Sequence, residues 1–241
     1  MKKYTFAMLI VILALAVSNF AQSVVITPKK TVYRRPKPIA SFKKTFTVIR
    51  PKVRASTPAL SKKIEAAISY EKVSELNIKE EISEVQWLEE ASYTVNYNKY
   101  GILDITLSVT GTGAYPSTFD KTVVIDLKTG NRISPGTVFN NIVGLTAKGK
   151  KAQEKEVKQA IIDIKKEEPD FEDPASMFGS TDYESENLND FSVSDRGVTF
   201  IYDYGFPHVA QALQPNGRYF FSWKELKGFI KPAGLFGRFV R

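Results

Sequence analysis

Few residues in this chain are able to carry chemistry. His208, the single histidine, sits in Gly205-Phe206-Pro207-His208-Val209, and imidazole is the side chain best suited to general-base work near neutral pH. A nucleophilic mechanism would need a serine placed beside it, and the chain has no Gly-x-Ser-x-Gly elbow. Adjacent carboxylates occur at Glu80-Glu81 and Glu89-Glu90. A glycosidase needs two carboxyl groups facing one another across a cleft, whereas neighbours on a strand point to opposite faces. Gly111-Thr112-Gly113 suggests a phosphate loop but lacks the third glycine, the following Lys-Ser/Thr and the following helix that nucleotide sites use. No Asp-x-Asp-x-Asp-Gly calcium loop occurs in the acidic stretch 167–190. The absence of Cys and the single His exclude disulfides, thiol nucleophiles, Cys-ligated zinc, iron–sulfur clusters and multi-histidine metal sites. The expectation is a chain with no catalytic set, no cofactor and no metal site. An envelope hydrolase using His208 with a carboxylate is the enzymatic alternative.

The amino terminus speaks to compartment. Lys2-Lys3, an apolar run from Tyr4 to Val17 and the small-residue exit Ser18-Asn19-Phe20-Ala21-Gln22-Ser23 form the three parts of a secretory signal. The run is shorter than the ~20 residues that span a bilayer, so cleavage after Ala21 or Ser23 is expected, giving an exported, periplasmic or extracellular protein with no membrane span in the mature chain. Export argues against a nucleic-acid partner despite the pI of 9.4, and without cysteines an exported fold must be stabilised by packing.

The formal charge of +8 comes from 34 basic and 26 acidic residues, and it is unevenly placed. Residues 24–54 hold ten cations, among them Arg34, Arg35, Lys43 and Lys44, and no acidic residue. Without those ten and Lys2 and Lys3, 22 basic residues face 26 acidic ones. From Glu167 to Asp190 there are nine acidic residues and no cation. A basic 24–54 arm of this kind predicts salt-sensitive attachment to anionic polymers, or a structural contact with the chain's own acidic stretch.

The elements that must position these groups follow from pattern. Pro28, Pro36 and Pro38 mark 24–40 as a basic extended lead-in or edge strand. Phe42 to Ile49 reads as a strand, and Thr57-Pro58 as a cap and first turn for a helix carrying Leu60, Ile64 and Ile68 and ending near Tyr70. Residues 71–84 are charged and ambiguous. Ala91, Tyr93, Val95 and Tyr97 alternate, turn at Asn98 to Gly101, and are answered by Leu103, Ile105, Leu107 and Val109, a hairpin with one buried face. Thr122 to Leu127 is a further strand, and Ser134-Pro135 opens a short helical turn. Val157, Ile161 and Ile164 predict a helix over 145–168, followed by an acidic loop. Val198, Phe200, Tyr202 and Tyr204 share one face of a strand. Tyr219 to Phe221 is the last strand, after which Ser222 and Glu225 form a capping box. The order gives an α+β fold, a mostly antiparallel sheet packed against two to three helices. Its divisions are a signal at 1–23, the lead-in at 24–40, an N-terminal lobe at 41–141 and a C-terminal lobe at 142–241. Most aromatic residues alternate in strands and so belong to the core rather than to a carbohydrate platform; Tyr115, past a glycine turn and before Pro116, is the one expected to be exposed.

Two blocks resemble a known family. The first runs from Thr110-Gly111-Thr112-Gly113-Ala114-Tyr115-Pro116-Ser117 through Val123 to Ile133, with its Asp126-Leu127-Lys128-Thr129-Gly130, to Val138-Phe139. The second joins Phe191-Ser192-Val193 and Gly197 to Phe200 with Tyr219 to Leu226. Together they resemble the exported domain of unknown function shared by RsiV-type anti-sigma factors and the amino-terminal part of PdaC-type deacetylases, a DUF3298-type domain, over roughly residues 41–231. The resemblance implies an α+β, non-catalytic binding or sensing module of the cell envelope. In RsiV-type proteins the domain binds lysozyme, and in PdaC-type proteins it precedes a separate catalytic domain. Tyr115 stands where the first block commonly has a His, and the loop from Gly205 to Arg218 is longer than usual. The expected ligand is a protein of the lysozyme kind or a wall glycan. The surface residues expected to contact it are Tyr115, His208, Arg34, Arg35, Lys43 and Lys44.

Overall fold

The computed structural model describes residues 23–39, 42–179 and 182–241. The signal segment lies almost wholly outside them. Among the described residues no helix is long and apolar enough to cross a membrane.

The first sheet has six strands in the order β1 to β6. These are β1 (Val25–Arg34), β2 (Thr45–Arg54), β3 (Leu88–Lys99), β4 (Ile102–Thr112), β5 (Pro116–Asp126) and the two-residue β6 (Asn131–Arg132). All neighbours are antiparallel except β2 and β3, which are parallel at Thr47 and Glu90. The basic lead-in is thus the edge strand of the sheet. β2 begins later than the Phe42 start expected from sequence and continues through Pro51. Pro51 is paired to Pro28 of β1, so the two residues that cannot donate to the ladder fall at one position.

The β2–β3 connection holds three helices. α1 (Pro58–Ala67) is capped as the sequence indicates, the Leu60 N–H donating to Thr57 Oγ1. The ambiguous 71–84 stretch resolves into α2 (Tyr70–Val73) and α3 (Ile78–Ser83), capped by Ser69 and Asn77. Ile64, Ile68 and Tyr70 close the first core against Val48, Ile105 and Val123.

The second half begins with α4 (Pro135–Val138) and the long α5 (Ile142–Glu167). Two 3-10 turns follow in the acidic stretch, at Pro174–Phe178 and Ser185–Asn189. A second sheet of β7 (Phe191–Ser194), β8 (Gly197–Ile201) and β9 (Arg218–Ser222) leads into α6 (Trp223–Leu226). Ser222 and Glu225 form the expected capping box, but the helix stops after four residues and Ile230 instead bridges to Phe139. β8 ends at Ile201, earlier than its alternation suggests. Tyr204 leaves the strand direction and enters a small core with Ile164, Phe178 and Phe206.

The two sheets share a core. Tyr97, Ile102 and Val124 of the first pack with Phe191, Val193 and Phe200 of the second. Asp104, fully buried on β4, anchors this contact: Val193 N–H donates to its Oδ2 at 2.7 Å, Ser192 Oγ donates to the same oxygen, and Asn96 Nδ2 donates to Oδ1 at 2.9 Å.

Candidate functional site

The β4–β5 hairpin carries the first candidate residue. β5 starts at Pro116, six residues before the apolar alternation of the sequence begins, and pairs with β4 out to Thr112. Gly111 is needed on β4 because Trp87 lies against it: a Cβ there would sit 2.4 Å from the indole. Trp87 is in turn within ring contact of the exposed Phe119, at 5.7 Å between centroids. Gly113 N–H donates to the Tyr115 carbonyl and closes the tip. Tyr115 is 62 % exposed.

His208 arrives from the other sheet. Its loop, between β8 and β9, is held at its base by Glu156 of α5, which accepts from Gly217 N–H at 3.1 Å and from the Tyr204 hydroxyl at 3.0 Å. Gly217 has φ of +63°, and a side chain there would strike the Tyr202 carbonyl. Phe206 N–H donates to Gln214 Oε1 at 2.9 Å, folding the loop onto itself, while Phe206, Ala210 and Leu213 pack toward α5. Burial pushes the Tyr204 phenol above its ordinary range, and that of Tyr219 likewise. Both hydroxyls therefore stay protonated, 2.8 Å apart.

The Tyr115 and His208 rings stack at 4.6 Å between centroids and 15° between planes. The tip of the β4–β5 hairpin and the β8–β9 loop therefore meet in space. Beside them Val209 is 92 % exposed. Among the described residues no carboxylate lies within hydrogen-bond or ion-pair reach of the His208 imidazole.

Between the Asp104 anchor and the ring pair runs one face of β3, β4 and β5. It is the face onto which the second sheet docks, and beyond the anchor its side chains are polar. Thr106 and Thr122 share a hydrogen bond at 3.0 Å, and Thr110 and Thr118 another at 2.9 Å. Thr94 sits across from Thr106, and Ser92, Ser108 and Asp120 occupy one cross-strand row. Glu90 lies opposite Thr110.

The basic residues are distributed differently from the sequence-based expectation. Arg35 is not a surface residue: only 2 % exposed, it donates to the carbonyls of Glu81, Lys43 and Leu88 at 2.9, 2.7 and 2.7 Å. Its guanidinium lies 3.5 Å from the Glu81 carboxylate and over the Phe46 ring. Burial lowers its pKa, with Glu81 opposing that shift. Lys43 pairs with Glu89, Arg50 with Glu71 and Lys52 with Glu65. None of these partners belongs to the acidic 167–190 stretch, so among the described residues no ion pair joins the arm to that stretch. Asp182 pairs with Lys150, and Asp190 lies near Lys121 and Arg132. Arg34 and Lys44, with Lys30 and Arg54, are exposed and have no carboxylate within ion-pair distance among the described residues. The residues that sequence reasoning missed are the threonines of the hairpin, whose polar character hid β5.

A surface cavity of about 450 Å³ lies at the opposite end of the hairpin, lined by Tyr100, Asp195, Arg238 and Phe239. Asp195 is already held there by Lys99 and the Tyr97 hydroxyl, which keep its carboxyl below the ordinary range.

The sequence matches no protein-family model and no curated protein. Its fold is similar to several solved structures, two of which follow. A DUF3298 family member from Bacteroides fragilis superposes with a TM-score of 0.56 at 14% identity, over 92% of this chain and 98% of the other. A DUF3298 family protein from Pseudomonas aeruginosa superposes with a TM-score of 0.55 at 12% identity, over 87% of this chain and 94% of the other. The sequence resemblance and the architecture thus agree, and the chain folds as a DUF3298-type domain.

Proposed function

We propose that this chain is an exported binding module of the cell envelope that performs no reaction of its own. The observation that carries the reading is the Tyr115–His208 stack. It places the sole histidine face to face with an exposed aromatic ring at a loop junction, an arrangement suited to contact with a ligand and poorly suited to proton transfer, which needs an in-line polar partner. Exposed aromatic side chains on well-braced loops are favoured recognition groups because they offer large contact area at low entropic cost. The ligand is a wall glycan or an envelope protein such as one of the lysozyme kind. The test is capture from envelope fractions by immobilised protein and by its Tyr115→Ala variant. Recovery of one ligand by the wild type and its loss in the variant supports the reading. Equal recovery by both, or hydrolysis of peptidoglycan fragments abolished by His208→Ala, overturns it.

A second reading concerns the edge strand. Lys30, Arg34, Lys44 and Arg54 form an uncompensated cationic border, which supports attachment to an anionic polymer as a separate, salt-sensitive contact.

A further inference from the structure

We infer that the polar face of β3–β5, between the Asp104 anchor and the Tyr115–His208 stack, is the binding strip for an uncharged polyhydroxylated chain, that is, a neutral glycan. The inference rests on the binding-module reading and names its ligand class.

The composition of the face is the first ground. Ser92, Thr94, Thr106, Ser108, Thr110 and Thr118 all project from it, and none of its side chains beyond the anchor is cationic. Its charged members, Glu90 and Asp120, are acidic. An anionic polymer would meet like charge here, and an apolar partner would bury hydroxyls away from water at a cost. A ligand made of hydroxyl and amide groups answers both donors and acceptors, because each threonine or serine hydroxyl can do either.

The geometry is the second. Cross-strand partners on one face of a sheet stand at regular spacing, with about 6.6 Å between same-face residues along a strand. From Thr106 to Thr112 the strip is therefore about 20 Å long, and its hydroxyl rows repeat along it, as suits a polymer of repeating units. The central-strand members are only half exposed while Thr118 and Asp120 on β5 are exposed, so the face is open toward β5.

The third ground is what stands at the end. One side of the Tyr115 ring is covered by His208, yet the residue stays 62 % exposed. Sugars present apolar C–H faces as well as hydroxyls. A strip of hydroxyls ending in a rigid exposed ring offers both kinds of contact to one chain. The ring pair braces Tyr115, so little rotamer freedom is lost on binding.

The experiment is calorimetric titration of the purified protein with oligomers of β-1,4-linked N-acetylglucosamine as the neutral probe and polyglutamate as the anionic control. The expected result is binding to the neutral oligomer that is unchanged as salt is raised. Tyr115→Ala should weaken it by about tenfold, the equivalent of ~1.4 kcal/mol. The paired change Thr110→Val with Thr118→Val keeps the β-branched shape and removes both hydroxyls, and should weaken it comparably with the thermal midpoint retained. Absence of binding to the neutral oligomer, or binding untouched by both variants, overturns the inference. If an envelope protein is captured through Tyr115 while the oligomer does not bind, this inference falls and the binding-module reading stands.

Discussion

The amide of Val193 donates to the buried carboxylate of Asp104 at 2.7 Å, across 89 residues of sequence and from one sheet to the other. Desolvation pushes the Asp104 carboxyl above its ordinary pKa, against three hydrogen bonds that favour the ionised form. The folded state thus binds a proton more tightly at this site than the unfolded state does. Its contribution to stability is full below the ordinary aspartate range and falls as pH rises through the higher folded value. Asp104→Asn is expected to flatten that decline in urea midpoints measured from pH 4 to neutrality. Asp104→Ala, which strands the Val193 amide, should cost about 3 kcal/mol near pH 4 and less toward neutrality, where the wild type has lost the contribution of the protonated carboxyl.

Arg35 is expected to tolerate no replacement. Lysine can reach one of the three carbonyls the guanidinium now satisfies and cannot match its planar fork. Removing the cation also leaves the buried Glu81 carboxylate without its ion-pair partner, held by the Leu88 N–H alone. Arg35→Met should lower stability by about 3 to 5 kcal/mol, read as a fall in the denaturation midpoint. Lys44→Met, at an exposed site nearby, should change it by less than ~0.5 kcal/mol.

Gly217→Ala tests the base of the His208 loop. The left-handed backbone and the 1.9 Å approach of an added Cβ to the Tyr202 carbonyl mean that the chain must shift. The expected outcome is a loss of about 1 to 3 kcal/mol together with faster proteolysis between Asp203 and Leu213. A protease pattern unchanged from wild type would show that the loop does not depend on this turn.

Several carboxylates shift the other way. Backbone and lysine hydrogen bonds hold Glu65 below its ordinary range despite burial, Arg50 does the same for Glu71, and Lys43 for Glu89. These groups stabilise the fold above the ordinary glutamate range, and that contribution is lost as pH falls through their lower folded values. Acid unfolding is expected to begin below about pH 4 and to be reported first by β2 and the β1–β2 connection, which hold the three partners. Amide exchange of Val48 and Val53 against that of Ile105 would show the order.

Much of the frame was legible because its signals are local. Thr57-Pro58 and Ser222 with Glu225 are caps whose chemistry acts within one turn, and both hold. The alternation of Leu103 to Val109 fixes a buried face by itself. The first half of β5 was not legible: Ser117 to Lys121 has no apolar alternation, and a threonine pair across the strand takes the place of burial. Tyr204 continued an apparent strand because period cannot reveal where a chain departs toward another core. Arg35 read as one cation among ten, since its partners lie up to 53 residues away. The stacking of Tyr115 with His208 joins two loops with no sequence signal in common. Each was visible alone as an exposed or unusual residue, and only folding makes them a pair.

The position of that stack also has a mechanical side. The sheets are fastened at one end of the hairpin by the Asp104 hydrogen bonds and meet again at its far tip. An aromatic contact of this kind is worth only about 1 kcal/mol. Lying farthest from the Asp104 anchor, however, a weak contact there has the longest lever arm against any displacement of one sheet relative to the other. The strip between the anchor and the stack is therefore bounded at both ends, and a ligand lying along it would touch both sheets' fastenings.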